Sequence, residues 1–183
     1  MTGIGASSYH RDRVDETLTL EQLVYTYSDA LVRYAYCYVG NADIAEEVTE
    51  DAFAALFVKN KQFSSKEQAR AWLYKAVRSR AVDYLRFHKR HMTLEDVQEV
   101  LSCRGPLEDV LVKERNDAIY RCMQALPRQY RAVLQLQYFD GFDIAQTAKI
   151  LGKSKKQVYN LLTRAKSALK AYLIKEGISG EDL

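Results

Sequence analysis

The sequence predicts an all-α chain of two small helical domains joined by a linker, the C-terminal one containing a helix-turn-helix. Three observations carry this. Only two prolines and eight glycines occur in 183 residues, too few breakers for a many-turned sheet protein. Apolar residues recur at intervals of three and four along most of the chain. That pattern lapses over residues 91–106, which close on the breaker pair Gly105-Pro106.

Residues 1–18 show no periodicity and read as a flexible N-terminal extension. Thr19 with Gln22 forms a capping box for a first helix carrying Leu20, Leu23, Val24, Tyr27, Leu31 and Tyr34, and Gly40-Asn41 stops it. Asp43 with Glu46 reads as a second capping box, opening a helix to about Val58. Its apolar side is Ile44, Val48, Ala52, Ala55 and Leu56. Ser65 with Gln68 begins a third helix, which runs to about Lys89. Its buried stripe is expected to be Ala69, Trp72, Leu73, Ala76, Val77, Ala81, Tyr84, Leu85 and His88. Three amphipathic helices can bury one another, so residues 19–90 are expected to form one domain.

After the linker, residues 91–106, a helix restarts at Pro106 and continues through Leu107, Val110, Leu111, Ala118, Ile119, Cys122 and Leu126. Pro127 resets the chain and starts another, with Tyr130, Val133, Leu134 and Tyr138, which Asp140-Gly141 turns. Residues 107–175 make the second domain and 176–183 a C-terminal tail.

Within the second domain, Ile144 to Leu151 is a short helix turning Ile144, Ala148 and Leu151 inward. Gly152 can take a positive φ and stop it. Ser154 with Gln157 then caps a helix that buries Val158, Leu161, Leu162, Ala165 and Leu169. A small residue, a turn glycine and an apolar anchor at these intervals form a helix-turn-helix signature. Lys155, Lys156, Gln157, Asn160, Thr163 and Arg164 are left outward. Gln and Asn amides can pair bidentately with adenine, and Lys can donate to guanine or phosphate. Lys166 and Lys170 can hold the DNA backbone. The competing reading is a packed helix pair whose polar side is merely solvated.

Charge supports the first reading. Residues 144–175 hold eight Lys or Arg and no acid, whereas a solvated helix surface usually mixes its signs. Residues 1–50 hold three basic and nine acidic residues. The cluster Glu46, Glu47, Glu50 and Asp51 is either a solvated face or a contact for a basic protein surface. Trp72, with Arg70 and Lys75 nearby, either stacks on a base or sits in the core.

Several classes are excluded by what the sequence lacks. It has no phosphate-binding glycine loop, H-E-x-x-H or nucleophile elbow, so no enzyme is expected. His88 and His91 lack an acidic or thiol companion at ligand spacing, so neither metal nor cofactor is expected. Cys37, Cys103 and Cys122 are widely spaced and fit free thiols in a reducing interior. No apolar run reaches the roughly 18 residues of a membrane span, and the N-terminus lacks a signal-peptide core, so a cytoplasmic location without membrane insertion is expected.

Three stretches carry a resemblance. Ala45-Glu46-Glu47-Val48-Thr49-Glu50-Asp51-Ala52-Phe53 is similar to the acidic helix with which extracytoplasmic-function (ECF) sigma factors, of the RNA polymerase sigma-70 family, grip core polymerase. Trp72 to Arg86, WLYKAVRSRAVDYLR, matches the family's W-L-x-x-x-(A/V)-R-N-x-x-x-D-x-x-R helix. Leu126-Pro127, Tyr138-Phe139-Asp140-Gly141, Ala148 to Gly152, and Arg164-Ala165-Lys166 with Leu169 resemble the domain that reads the −35 promoter element. The resemblance covers residues 19–173 in the family's order.

It implies a sigma factor that binds core RNA polymerase and directs it to promoter DNA, with the polymerase doing the chemistry. It implies core contacts at Glu46, Glu47, Glu50 and Asp51, with Phe53 structural. It places Trp72, Lys75, Arg78, Ser79 and Arg86 on the −10 melting helix, and Lys155, Lys156, Gln157, Asn160, Thr163 and Arg164 on the −35 reading helix. It also implies an anti-sigma partner, as many members have. The chain departs from the family at Ser79 (commonly Asn), Glu50 (Gln), Lys153 (often apolar) and Leu161 (often Arg). Without that Arg, the −35 contact leans on Lys155, Lys156 and Lys166. The alternatives are a two-domain regulator that never joins polymerase, and a protein-binding sigma-like decoy.

Overall fold

The structure, a computed structural model, describes residues 19–91 and 117–177. The expected N-terminal extension, the linker beyond His91, and the helix restarting at Pro106 as far as residue 116 lie outside the described residues. All regular structure among the described residues is helical.

Helix α1 spans Leu20–Val39 and opens on the expected capping box: Gln22 N donates to Thr19 Oγ1 at 3.2 Å, and Thr19 N to Gln22 Oε1 at 3.0 Å. Gly40 ends it in the left-handed region at φ 68°. Helix α2, Ala42–Val58, corrects one expectation. Its cap is Asn41, whose Oδ1 accepts from Ile44 N at 3.0 Å, and Asp43 lies inside the first turn. There a carboxylate meets the positive end of the helix dipole, which explains an acid at that place without a capping box. Helix α3, Lys66–His91, starts at Ser65, whose Oγ accepts from Gln68 N at 3.2 Å. Gln68 returns its bond one residue early, to Ser64 N.

The second group begins with α4, Asp117–Gln124, and α5, Arg128–Leu134. The chain then widens into a π-helical turn over Gln135–Phe139 before Asp140 and Gly141, the latter at φ 64°. Gln137 stitches this turn to the start of the helix-turn-helix, with Nε2 donating to Phe142 O at 2.8 Å and Thr147 Oγ1 at 2.7 Å. Helix α6, Ile144–Leu151, carries an unexpected capping box of Asp143 with Gln146. Helix α7 is Lys155–Lys175.

Helices α1, α2 and α3 pack on one another, and α7 rests on α4, α5 and α6. The two groups also touch: α5 lies on α1, and α6 on α3. This contact explains where burial departs from simple periodicity. Tyr34, Ala35, Tyr36, Cys37 and Tyr38 are consecutive and all buried, as a helix covered on several sides requires. On α3 the expected stripe holds for Ala69, Leu73, Val77 and Ala81, while Trp72, Ala76, Tyr84, Leu85 and His88 are only half-buried. Tyr74, outside that stripe, is fully buried, with its ring against those of Tyr34 and Phe142.

Candidate nucleic-acid interface

The helix-turn-helix is α6, the turn at Gly152, and α7. Gly152 sits at φ 62°, ψ 41°, and its N–H closes α6 onto Ala148 O. A Cβ at Gly152 would meet nothing within 4 Å, so the glycine is required by backbone conformation alone. Gly152→Ala is therefore expected to cost about 1–2 kcal/mol, read by urea unfolding. Unchanged stability would contradict this account of the turn.

Val158, Leu162 and Ala165 turn inward and are buried; Leu161 and Leu169 are half-buried. The rotation this fixes leaves Lys155, Lys156, Gln157, Asn160, Thr163, Arg164, Lys166 and Lys170 all exposed. Three lysines, Lys153, Lys155 and Lys156, crowd the N-terminus of α7, where the helix dipole is already positive. A phosphate there would relieve the repulsion and accept from the first-turn N–H groups.

The exposed residues are not equally free. Gln157 is committed to the cap: its Oε1 accepts from Ser154 N at 2.8 Å, and its own N donates to Ser154 Oγ at 3.2 Å. Bidentate pairing to adenine uses both amide atoms, and the cap already engages and orients one of them. Thr163 Oγ1 donates to Tyr159 O at 3.0 Å, and Lys166 Nζ lies 5.3 Å from the centre of the Tyr138 ring. Among the described residues, the amide of Asn160 is left to solvent. Tyr159, 58% exposed, lies beside it; sequence periodicity misses it because an aromatic next to Val158 reads as core.

On α3, Lys75, Ser79 and Arg86 are exposed and Arg78 is half-buried. Arg86 pairs loosely with Asp83 at 3.4 Å, an exposed contact of little energetic weight. Trp72 answers to neither extreme expected of it. Its ring is half-buried against Phe63, centroids 6.0 Å apart, with Lys61 Nζ at 5.8 Å, so one part packs and the rest is accessible. Arg78, Arg86, Lys89, Arg128 and Lys153 line a cleft of about 300 Å³ together with Val82, Leu85 and Leu161.

The acidic residues lie on α2. Glu46, Glu47, Glu50 and Asp51 are exposed, while Phe53 is buried. Asp51 lies 4.0 Å from Arg80 of α3 and is the one acid of the four so engaged among the described residues. No group of His, Cys, Asp and Glu there could hold a metal ion. Cys37 and Cys122 are buried free thiols; burial pushes Cys37 up to about 12. No described helix is long and apolar enough to cross a membrane.

Residues 23–91 match the family described as Sigma-70 region 2, and residues 116–169 that described as Sigma-70, region 4. The chain belongs to the ECF group of the RNA polymerase sigma-70 family. It is 23% identical over 168 residues to the ECF RNA polymerase sigma factor SigM of Bacillus subtilis, covering 90% of this chain and all of that one. It is 29% identical over 161 residues to the ECF RNA polymerase sigma factor BldN of Streptomyces coelicolor, covering 85% of this chain and 60% of that one. In fold it resembles the sigma factor RpoE, solved in complex with the anti-sigma factor NepR from Bartonella quintana. The TM-score is 0.61 at 21% identity, over 84% of this chain and 95% of that one. CnrH, solved with the cytosolic domain of CnrY, gives a TM-score of 0.55 at 21% identity over 85% and 88%. The protein is thus a sigma factor that directs RNA polymerase to promoters.

Proposed function

We propose that the sigma factor divides this work between residues 19–90, which dock on core polymerase and open and read the −10 element, and residues 107–175, which read −35. The observation that carries the division is the segregation of charge: Glu46, Glu47 and Glu50 project from α2, while the charged residues on the DNA-facing side proposed for α7 are all cations. The acidic face suits a basic protein surface and the cationic one suits DNA. On α3, Lys75, Arg78 and Arg86 hold the −10 backbone, Ser79 replaces a longer amide, and Trp72 offers its accessible part for stacking on a base. On α7, Lys155, Lys156, Arg164, Lys166 and Lys170 position the helix on phosphates. Asn160 reads a base edge, and Tyr159 and Thr163 add apolar contact. Gln157 holds the cap. An anti-sigma protein is a further proposed partner, in keeping with the anti-sigma factor NepR in the RpoE complex.

The deciding experiment is transcription from host genomic DNA by core polymerase with and without this chain. Chain-dependent starts sharing −10 and −35 sequences are expected; their absence would refute the assignment. Within it, replacing Glu46, Glu47 and Glu50 together by Gln is expected to weaken core binding roughly tenfold at low salt and to flatten its salt dependence. Asp51→Asn should do less, since Arg80 already faces Asp51. Unchanged affinity of the folded triple variant at low salt would remove the acidic face from the interface.

A further inference from the structure

The cleft between α3, α5 and the helix-turn-helix brings five cations together, and none of the described residues lining it is an acid. Arg78, Arg86 and Lys89 come from α3, Arg128 from the start of α5, and Lys153 from the turn after Gly152. Arg86 makes its loose, exposed contact with Asp83 at 3.4 Å. The other four have no carboxylate partner among the described residues. Arg78 and Lys153 are half-buried, where water and salt screen like charges less than at the open surface. Arg78 also lies beside the hydroxyl of Tyr38, a buried residue on the same lining. Cations gathered in this way repel one another, and a bound anion relieves the repulsion.

The remaining lining is largely apolar. Val82 and Leu85 of α3 and Leu161 of α7 are half-buried, and Leu151 of α6 is buried. Aliphatic surface contributes nothing to holding a bare phosphate; it suits an apolar or planar body carried by the anion. Gln129 adds an amide able to pair with the edge of a base. Lys153 and Leu161 are also positions at which the chain departs from its family's pattern, often apolar at the first and often Arg at the second. The two departures meet in the cleft, one supplying a cation and the other an apolar wall. Leu161 forgoes a contact with the DNA backbone, and its place in the lining gives that side chain a different use.

We propose that this cleft binds a nucleoside diphosphate, with its phosphates among the five cations and its base against Val82, Leu85 and Leu161. Size and charge select the class. A volume of about 300 Å³ lies at the lower end of small-ligand sites. A terminal phosphate carries roughly two negative charges near neutral pH, so five cations call for more than one phosphate. Arginine can clamp phosphate oxygens two at a time, and lysine adds a point charge. The site does not depend on the division of promoter reading, since Lys89, Arg128, Gln129 and Leu151 carry none of the proposed DNA contacts.

Calorimetric titration of the full chain with ADP, and separately with GDP, tests the site. One equivalent of at least one of them is expected to bind, roughly tenfold or more tighter than pyrophosphate or the parent nucleoside, each of which meets only half of the lining. Arg128→Ala and Lys89→Ala, both at exposed positions, should each weaken the nucleotide on the order of tenfold. Lys59→Ala removes an equal charge from an exposed position outside the cleft and should change binding by no more than about twofold. Leu161→Arg, which restores the side chain often found in the family, should weaken the nucleotide and strengthen pyrophosphate, with folding checked by circular dichroism. Absence of binding by both nucleotides, or an unchanged preference over pyrophosphate in folded Leu161→Arg, would overturn the proposal. So would equal affinity for pyrophosphate, or an equal loss in Lys59→Ala, either of which marks unspecific attraction of anions to a cationic surface. If a short single-stranded oligonucleotide binds more tightly than either nucleotide and loses the same factor in Arg128→Ala, the cleft belongs to nucleic acid and the nucleotide site is refuted.

Discussion

Replacing Tyr34 by alanine is expected to cost about 3–5 kcal/mol and to lower Tm by roughly 6–20 °C. Tyr34 is fully buried, and its ring joins a run of aromatic contacts across the molecule. It meets Tyr38 edge-on at 5.5 Å and Tyr74 at 5.0 Å, and Tyr74 in turn meets Phe142 of the second domain. Removing that ring opens a cavity at the centre of the first domain and loosens the surface on which the second one rests. Tyr34→Phe separates ring from hydroxyl. It deletes only the contact between the Tyr34 and Tyr38 hydroxyls at 3.2 Å and should cost about 1 kcal/mol. Urea and thermal unfolding of both variants measure the difference. An alanine variant that melts with the phenylalanine one would show that the ring is not the anchor described.

The features legible in the sequence are those that lie within one helix. The capping boxes at Thr19 and Ser154, the glycine turns, and the inward Val158, Leu162 and Ala165 follow from local chemistry and a period of 3.6 residues. The errors arise where the local signal is degenerate or the cause is tertiary. An acid within the first turn and an acid at the cap look alike in sequence, and so Asp43 reads as the cap that Asn41 supplies. Tyr74 meets Phe142 of the other domain, and the run Tyr34–Tyr38 lies on a helix covered by α2, α3 and α5 together, which no periodicity within a single helix can reveal. Among the site residues, identity marks the exposed amides and cations, but only the hydrogen bonds of the folded helix separate Gln157, which caps, from Asn160, which is free.

That distinction gives the second large effect. In the assembled holoenzyme, Asn160→Ala is expected to cost roughly 1–3 kcal/mol on the preferred −35 sequence and little on a scrambled one. Asn160 has a short, rigid side chain, is exposed on the side of α7 opposite buried Val158 and Leu162, and keeps both amide atoms free for a base edge. Its Tm should stay at the wild-type value, because no contact within the chain is lost. Gln157→Ala should behave in the opposite manner. Its loss removes the return bond to Ser154 N and destabilises the fold by about 0.5–2 kcal/mol, with a smaller change in the ratio of preferred to scrambled binding. Lys170→Ala, far along α7 from its N-terminus, should weaken both sequences alike and reduce the salt slope by about one phosphate contact. Competition binding of holoenzyme on the two promoters at two salt concentrations, with thermal melts of each variant, separates the three roles. If folded Asn160→Ala loses the same factor on both promoters, Asn160 is a backbone contact, and base reading at −35 must be sought elsewhere on α7.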